Sequence, residues 1–217
     1  MQRKNQNRLC LALCLFAAFG LWTGAVCLMD KRAIGPLGSA VGLAAINQWV
    51  HNFTGVHMSL YRITDWLGLV PFVFASGFGV LGLVQWIKRK SIRRVDGSLL
   101  VLGGFYFVVI LVYTFFEAVV VNYRPILIDG VLEASYPSST TMLVLCVMPT
   151  AAMQCKTRIQ SPILNRCILW LTAGFTIFMV IGRLISGVHW FSDIVGGILL
   201  SAGLTLLYAS LCPCKRV

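Results

Sequence analysis

The sequence predicts an all-α fold: a six-helix transmembrane bundle with one further helix lying on the membrane surface between the first two spans. Three observations predict it. Of 217 residues, 58% are hydrophobic and only 12% charged, with a mean hydropathy of +0.83, so the chain has too little polar surface to clothe a soluble globule of its size. Six apolar runs are long enough to cross about 30 Å of hydrocarbon. The basic residues fall on alternate loops. The whole chain, residues 1–217, reads as one membrane domain.

The first run, Leu9–Met29, follows a basic start. It has no small-x-small cleavage site at its end, and Gly24-Ala25-Val26-Cys27 lacks the leucine of a lipoprotein processing site, so it reads as a retained helix. A long outer segment, Asp30 to Trp66, comes next. Within it Ile46, Trp49, Val50 and Phe53 recur at i, i+3, i+4 and i+7, the mark of an amphipathic helix on the membrane interface. Such a helix either guides access to an outer site or packs on the bundle without further role. The second and third runs are Leu67–Ile87 and Ser98–Val121. The fourth, Thr140–Cys155, is short and carries Pro149, which predicts a kink. Ile163–Arg183 and Ile194–Leu211 complete the set. Trp22, Trp49, Trp66, Trp86 and Trp190 stand near run ends, where an aromatic belt places them.

A net charge of +11 invites a nucleic-acid reading, but the placement of the charge excludes it. Arg3, Lys4 and Arg8 precede the first run; Lys88, Arg89, Lys90, Arg93 and Arg94 follow the second; Lys156, Arg158 and Arg166 follow the fourth; Lys215 and Arg216 end the chain. By the positive-inside rule these loops and both termini are cytoplasmic, and the opposite loops are extracytoplasmic. The eight cysteines contain no CxxC pair and predict small core residues, with no metal site. Cys212-Pro213-Cys214 beside Lys215 reads either as a pair of inner-interface thiols or, in a eukaryotic host, as an acylation site.

The outer loops carry the chemistry. Gly182-Arg183-Leu184-Ile185-Ser186-Gly187-Val188-His189-Trp190-Phe191-Ser192-Asp193 sets an arginine, a histidine and a carboxylate in greasy sequence, where each is costly unless paired or wetted. His189 and Asp193 stand four apart, so one helix face can bring them together. The carboxylate then fixes one ring nitrogen and leaves the other free as a nucleophile. Arg183 supplies a planar fork for anionic oxygens. Asn122-Tyr123-Arg124-Pro125 adds a second arginine on the same side. Pro137-Ser138-Ser139-Thr140 opens a helix with hydroxyls, free amides and the positive end of a helix dipole.

These three segments resemble the type 2 phosphatidic acid phosphatase (PAP2) superfamily, whose pattern is KxxxxxxRP, PSGH and SRxxxGHxxxD with some variation. The resemblance spans about residues 60–211. It implies that His189 is a nucleophile forming a phosphohistidine and Asp193 its orienting carboxylate. It also implies that Arg124, Arg183, Ser138, Ser139, Thr140 and Gly187 bind phosphate, and that neither metal nor cofactor takes part. The glycine-to-histidine spacing is one longer than the tightest form of the motif, a variation that the family tolerates, and two other departures matter. Glu117 stands where the family has lysine; it either braces Arg124 or faces another helix and takes no catalytic part. Thr140 replaces the final histidine of PSGH, the family's general acid.

The leaving group decides what the missing acid costs. A lipid alkoxide is a strong base and gains about 10²–10⁴-fold from a general acid, whereas a phosphate leaving from a diphosphate needs less help. The expected substrate is therefore a lipid phosphate or diphosphate, with a polyprenyl diphosphate favoured. His51 and His57 also lie on the outer side, and each reads either as a replacement proton donor or as a solvated loop residue.

The leading reading is a metal-independent lipid phosphatase of the plasma membrane with an extracytoplasmic site. Its partners are its substrate and membrane lipids, with no nucleic acid; the oligomeric state is not legible. A phosphotransferase variant is equally compatible. The alternative is a weak or inactive relative that binds phospholipid or a protein partner. A transporter ranks last, because the first, second, fourth and fifth spans place no ionisable residue near their middles.

Overall fold

A computed structural model describes residues 2–212, so Cys214, Lys215 and Arg216 lie outside the described residues. It is all-helical, with α1 (Gln2–Leu28), α2 (Ala44–Thr54), α3 (Met58–Leu67), α4 (Val70–Arg89), α5 (Gly97–Ala118), α6 (Ser139–Arg158), α7 (Pro162–Ile185) and α8 (Phe191–Leu211). Strand-like pairing among the described residues is limited to isolated bridges. Two of these, Tyr123 with Ala134 and Ile128 with Val131, fold the α5–α6 connection back on itself.

A helix stands at each of the six apolar runs. Five stretches are long and apolar enough to cross a membrane: Asn5–Leu28, Met58–Arg89, Gly97–Ala118, Pro162–Ile185 and Phe191–Leu211. The protein is a multi-pass membrane protein. The expected fourth span, α6, is the one helix of the six missing from this set, and its composition explains why. Thr141, Thr150 and Gln154 are all fully buried along it. Their polarity lowers the helix's hydropathy, and the latter two fasten it in the bundle: Tyr106 Oη and Thr150 Oγ1 lie 3.1 Å apart, and Gln154 Nε2 donates to Ser98 O at 2.9 Å. Pro149 also interrupts α6, freeing the carbonyl of Leu145 four residues earlier. Thr205 Oγ1 of α8 donates to that carbonyl at 3.0 Å, so the freed acceptor is satisfied from outside the helix.

The bundle is organised around α6 and α8. Leu102, Phe105 and Val109 of α5 meet Met142 and Cys146 of α6 and Leu200, Leu204 and Tyr208 of α8 in one buried cluster. A second cluster joins Val144 and Met148 of α6 to Met179 of α7. α1 lies along α8, where Gly203 admits the ring of Phe16. Leu21, Phe107 and Trp170 point outward, as lipid-facing residues do.

The outer segment forms two helices rather than one. Ile46, Trp49 and Phe53 are exposed on α2, while Ala44 and Asn47 are buried against the bundle. α3 repeats the arrangement, with Ile63 and Trp66 exposed and Thr64 buried against Gly182 of α7. Trp190 departs from its expected place in an aromatic belt. It is 3% exposed, and its indole N–H donates to Tyr123 O at 2.7 Å. Its polar tip is consumed inside the protein, not at a membrane surface.

Candidate active site

The ends of three elements meet at one end of the bundle: the turn between α7 and α8, the start of α6 and the folded-back connection preceding it. Close backbone approach makes this possible. A Cβ on Gly196 would lie 2.7 Å from the Tyr136 ring, and one on Gly197 3.3 Å from Ser138 O, so the α6 entry can rest on the first turns of α8. Ser138 N–H donates to Asp193 O at 3.1 Å, joining the two helix starts. α6 opens without a side-chain cap, so its first amides keep their hydrogen-bonding capacity and its dipole is unopposed.

His189 is 3% exposed, between α7 and α8. Its Nδ1 lies 3.8 Å from Asp193 Oδ2, beyond hydrogen-bonding range but within ion-pair range. Its Nε2 faces the other way, 3.4 Å from Arg183 Nη2. Burial, then the positive charges of Arg124 and Arg183, hold the imidazole well below its ordinary range; the Ser135 backbone acts weakly in the opposite direction. The ring is therefore neutral at pH 7 and keeps a free lone pair.

Asp193 is fully buried in the first turn of α8 and anchored from several sides. Oδ2 accepts from Trp190 N at 3.0 Å, and Oδ1 accepts from Ser192 Oγ at 3.3 Å and Asn122 Nδ2 at 3.4 Å. A helix-capping contact thus holds the carboxylate that faces His189.

Both arginines are buried, Arg183 at 1% and Arg124 at 9% exposure. Each meets a carboxylate from another element. Arg124 Nε lies 2.9 Å from Glu133 Oε2 across the folded-back loop. Arg183 Nη1 lies 3.6 Å from Asp65 Oδ1 of α3, with the guanidinium 5.0 Å from the Tyr61 ring centroid. Neither pairing supplies hydrogen bonds to the remaining donors. The two ion-paired nitrogens lack hydrogen-bond geometry to their carboxylates, and Arg124 Nη1, Arg183 Nε, Ser138 Oγ and His189 Nδ1 are buried with no partner at all. Buried donors converging in this way form a site for an anion.

The other predicted residues lie at varying distances from this centre. Ser139 lines a small crevice with Glu117 and Tyr113, on the α5 side of the α6 entry. Glu117 is exposed and does not pair with Arg124, whose partner is Glu133. Thr140 is half-buried near Gly68. Gly187 has φ +70°, and its N–H donates to Leu184 O at 3.2 Å; a Cβ there would stand 2.1 Å from Gly55 O. It shapes the turn that presents His189 and seats the α2–α3 joint on it. His57 is exposed, with Nε2 2.9 Å from Thr54 O. His51 lies beside Trp190, ring centroids 5.4 Å apart, and burial lowers its pKa, which makes it a poor proton donor. Among the described residues no group of three or more His, Cys, Asp or Glu is placed to hold a metal ion.

Several important residues escape a reading of sequence spacing. Asn47 of α2 is fully buried; its Nδ2 donates to Gly42 O at 2.8 Å and Ser192 Oγ at 2.9 Å, and its Oδ1 accepts from Ser192 N at 2.9 Å. Gly42 N–H in turn donates to Asn122 Oδ1 at 3.1 Å. The outer segment is thereby tied to the residue that precedes Asp193. No local motif announces Asn47, Glu133 or Asp65; Asn122 lies inside the motif but has no assigned role in it.

None of the curated proteins compared matches the chain. Among solved structures, the crystal structure of the first transmembrane PAP2 type phosphatidylglycerolphosphate phosphatase from Bacillus subtilis is similar, with a TM-score of 0.57 and 19% identity. The match covers 92% of this chain and 93% of that one and speaks for the fold. The family model described as PAP2 superfamily matches residues 73–213, a stretch that includes Arg124, Ser138, Arg183, His189 and Asp193. The chain belongs to the PAP2 superfamily.

Proposed function

We propose that this protein is a membrane lipid phosphatase that removes a terminal phosphate from a lipid phosphate or diphosphate through His189. One observation carries the reading: two buried arginines with unused hydrogen-bonding capacity act on a buried imidazole that they and its burial keep neutral, with Arg183 Nη2 3.4 Å from its Nε2. Nε2 of His189 faces the guanidinium of Arg183 and serves as the nucleophile. It attacks phosphorus in line; a P–N bond forms as the bond to the leaving oxygen breaks, and the leaving group departs as a phosphate anion from a diphosphate or, as an alkoxide, takes its proton from water. Water then attacks the phosphohistidine, releasing inorganic phosphate and the free imidazole. The arginines, Ser138 Oγ and the first amides of α6 stabilise the equatorial oxygens as charge redistributes. Asp193 lies on the Nδ1 side and favours the imidazolium character that develops there.

The reading includes six spans, α6 among them, with both termini cytoplasmic and the site on the extracytoplasmic side of a plasma membrane. The basic loops support this orientation. α2 and α3 lie in the outer interface, a placement supported by their exposed Trp49, Phe53 and Trp66 and their buried Asn47 and Thr64. With threonine at position 140, a polyprenyl diphosphate is the preferred substrate; phosphatidylglycerol phosphate, the substrate named for the similar structure, is the main competitor.

The test is phosphate release by the purified protein from a polyprenyl diphosphate, a phosphatidate and phosphatidylglycerol phosphate, with His189→Ala as control. Release that vanishes in the variant is expected. Folded wild-type protein releasing nothing from any of the three overturns the enzyme reading in favour of a phospholipid- or protein-binding relative.

A further inference from the structure

A groove of about 990 Å³ opens between α6 and α7 at the end of the bundle opposite His189. Pro149, Met153, Leu169 and Ile177 line its apolar length, while Lys156 and Arg166 stand at its mouth. From Arg166 to Ile177 the helix rises roughly 16 Å. That is about half of the ~30 Å hydrocarbon thickness, so the groove has the depth of one leaflet.

The cations at the mouth differ from their neighbour. Arg158 turns inward, donating to Gln154 O at 3.0 Å and Ser98 Oγ at 3.3 Å and approaching Asp96 at 4.0 Å. Lys156 and Arg166 are exposed and form no ion pair among the described residues. Asn165 lies between them and the apolar wall. Its Nδ2 donates to Ile159 O at 2.8 Å, leaving a buried Oδ1 with no partner.

We propose that this groove binds an anionic glycerophospholipid from the leaflet opposite the candidate active site. Its phosphate sits between Lys156 and Arg166, a glycerol or headgroup hydroxyl donates to Asn165 Oδ1, and an acyl chain follows the wall towards Pro149 and Ile177. The polarity of the groove selects such an occupant: charge is confined to one end, and the hydroxyls of Thr172 and Thr176 along the wall are spent on their own helix backbone, so its length is largely apolar, as in a lipid. A second copy's helix would need an apolar face running the full membrane thickness. The unneutralised cations favour a net negative headgroup over a zwitterion, which brings its own positive charge to the mouth.

The experiment uses the full chain in bilayer nanodiscs of phosphatidylcholine with a trace of phosphatidylglycerol carrying an acyl diazirine, irradiated and mapped by mass spectrometry. A phosphatidylcholine probe of the same chain is the comparison. The phosphatidylglycerol probe is expected to label the segment around Met153, Leu169 and Ile177, and Lys156→Gln with Arg166→Gln to cut that labelling roughly 10- to 30-fold. Ala173→Leu, which fills the groove and leaves the cations in place, should reduce labelling as well. Equal labelling by the two probes, or full labelling in the double variant, overturns the proposal. So does disulfide crosslinking of Ile177→Cys between two chains that excludes the probe, which assigns the groove to a second copy.

Discussion

Asn47 offers the sharpest test of how the outer segment supports the site. Asn47→Ala removes three buried hydrogen bonds of 2.8, 2.9 and 2.9 Å, and strands the Ser192 amide and Gly42 carbonyl. At roughly 1 kcal/mol per bond, with a further term for orphaned groups, the expected loss is about 2–4 kcal/mol. That is a large share of the ~5–15 kcal/mol of a typical domain. The kinetic consequence runs through Ser192, which bonds Asp193 Oδ1 at 3.3 Å. A looser α8 start displaces the carboxylate facing His189, and misplacement on this scale costs about 10- to 100-fold in kcat. KM should change less, because both arginines stand on other elements. The assay is thermal unfolding in detergent alongside steady-state phosphate release, with Asn52→Ala, an exposed change on the same helix, as reference. Equal midpoints and equal kcat in the two variants would refute the claim that α2 secures the site.

The depressed pKa of His189 sets a sign for pH dependence. Below about pH 6.5 the unfolded chain protonates this histidine and the folded chain does not, so stability falls as pH drops from there towards the folded pKa. His189→Ala should flatten that slope; an unchanged slope would count against a buried neutral imidazole. Glu133→Gln frees Arg124 from a carboxylate that is 41% exposed, and since such a pair is worth at most about 1 kcal/mol, KM should fall about 2- to 5-fold with kcat little altered. A raised KM would mean that Glu133 positions the arginine more than it competes for it. Gly187→Ala drives a Cβ into Gly55 O and strains a residue at φ +70°, so folded yield and activity should both drop, by at least ~1–3 kcal/mol in stability. Thr140→His should raise turnover of phosphatidate relative to polyprenyl diphosphate by about 10-fold or more, and equal gains on both substrates would remove the leaving-group argument.

Hydropathy locates helices because it reports composition, and six apolar runs became helices for that reason. It does not report which way a side chain points. α6 shows the difference: Thr141, Thr150 and Gln154 lower its apolarity, yet all three face inward, and Thr150 and Gln154 bond to α5. Trp190 shows the same error with the opposite sign, since an aromatic at a helix end reads as a membrane anchor until its indole N–H is found on Tyr123 O. α2 was legible through its i, i+3, i+4, i+7 stripe; α3 was not separated from it, because Thr64, its one buried residue, is polar and its contacts to Arg183 come from Tyr61 and Asp65, residues that hydropathy does not mark as packed. Within the site, His189 and Asp193 are four residues apart and could be paired from spacing alone. Asn47 meets Ser192 across 145 positions, a distance over which a single sequence carries no pairing signal.

The replacement of the family lysine by Glu117 looks at first like a negative charge set into a phosphate pocket, but the geometry gives it a different meaning. Glu117 is exposed on α5 beside Tyr113 and reaches neither arginine. The carboxylates that do reach them, Glu133 and Asp65, come from a loop and from α3, and both stay substantially exposed at 41% and 58%. Two buried guanidiniums repel one another, and each also opposes a positive charge on the buried imidazole, which after burial is what keeps His189 in its neutral form. Partly wetted carboxylates at the outer edge relieve the repulsion without consuming the donors that face inward, which stay unpartnered. On the proposed reading, a phosphate entering between the arginines would take over the neutralising role, and the two acids can turn to water at little energetic cost because they were never fully desolvated. With glutamate at position 117, the proposed phosphate site draws its buried positive charge from Arg124 and Arg183, each paired with an acid that the family motif does not contain.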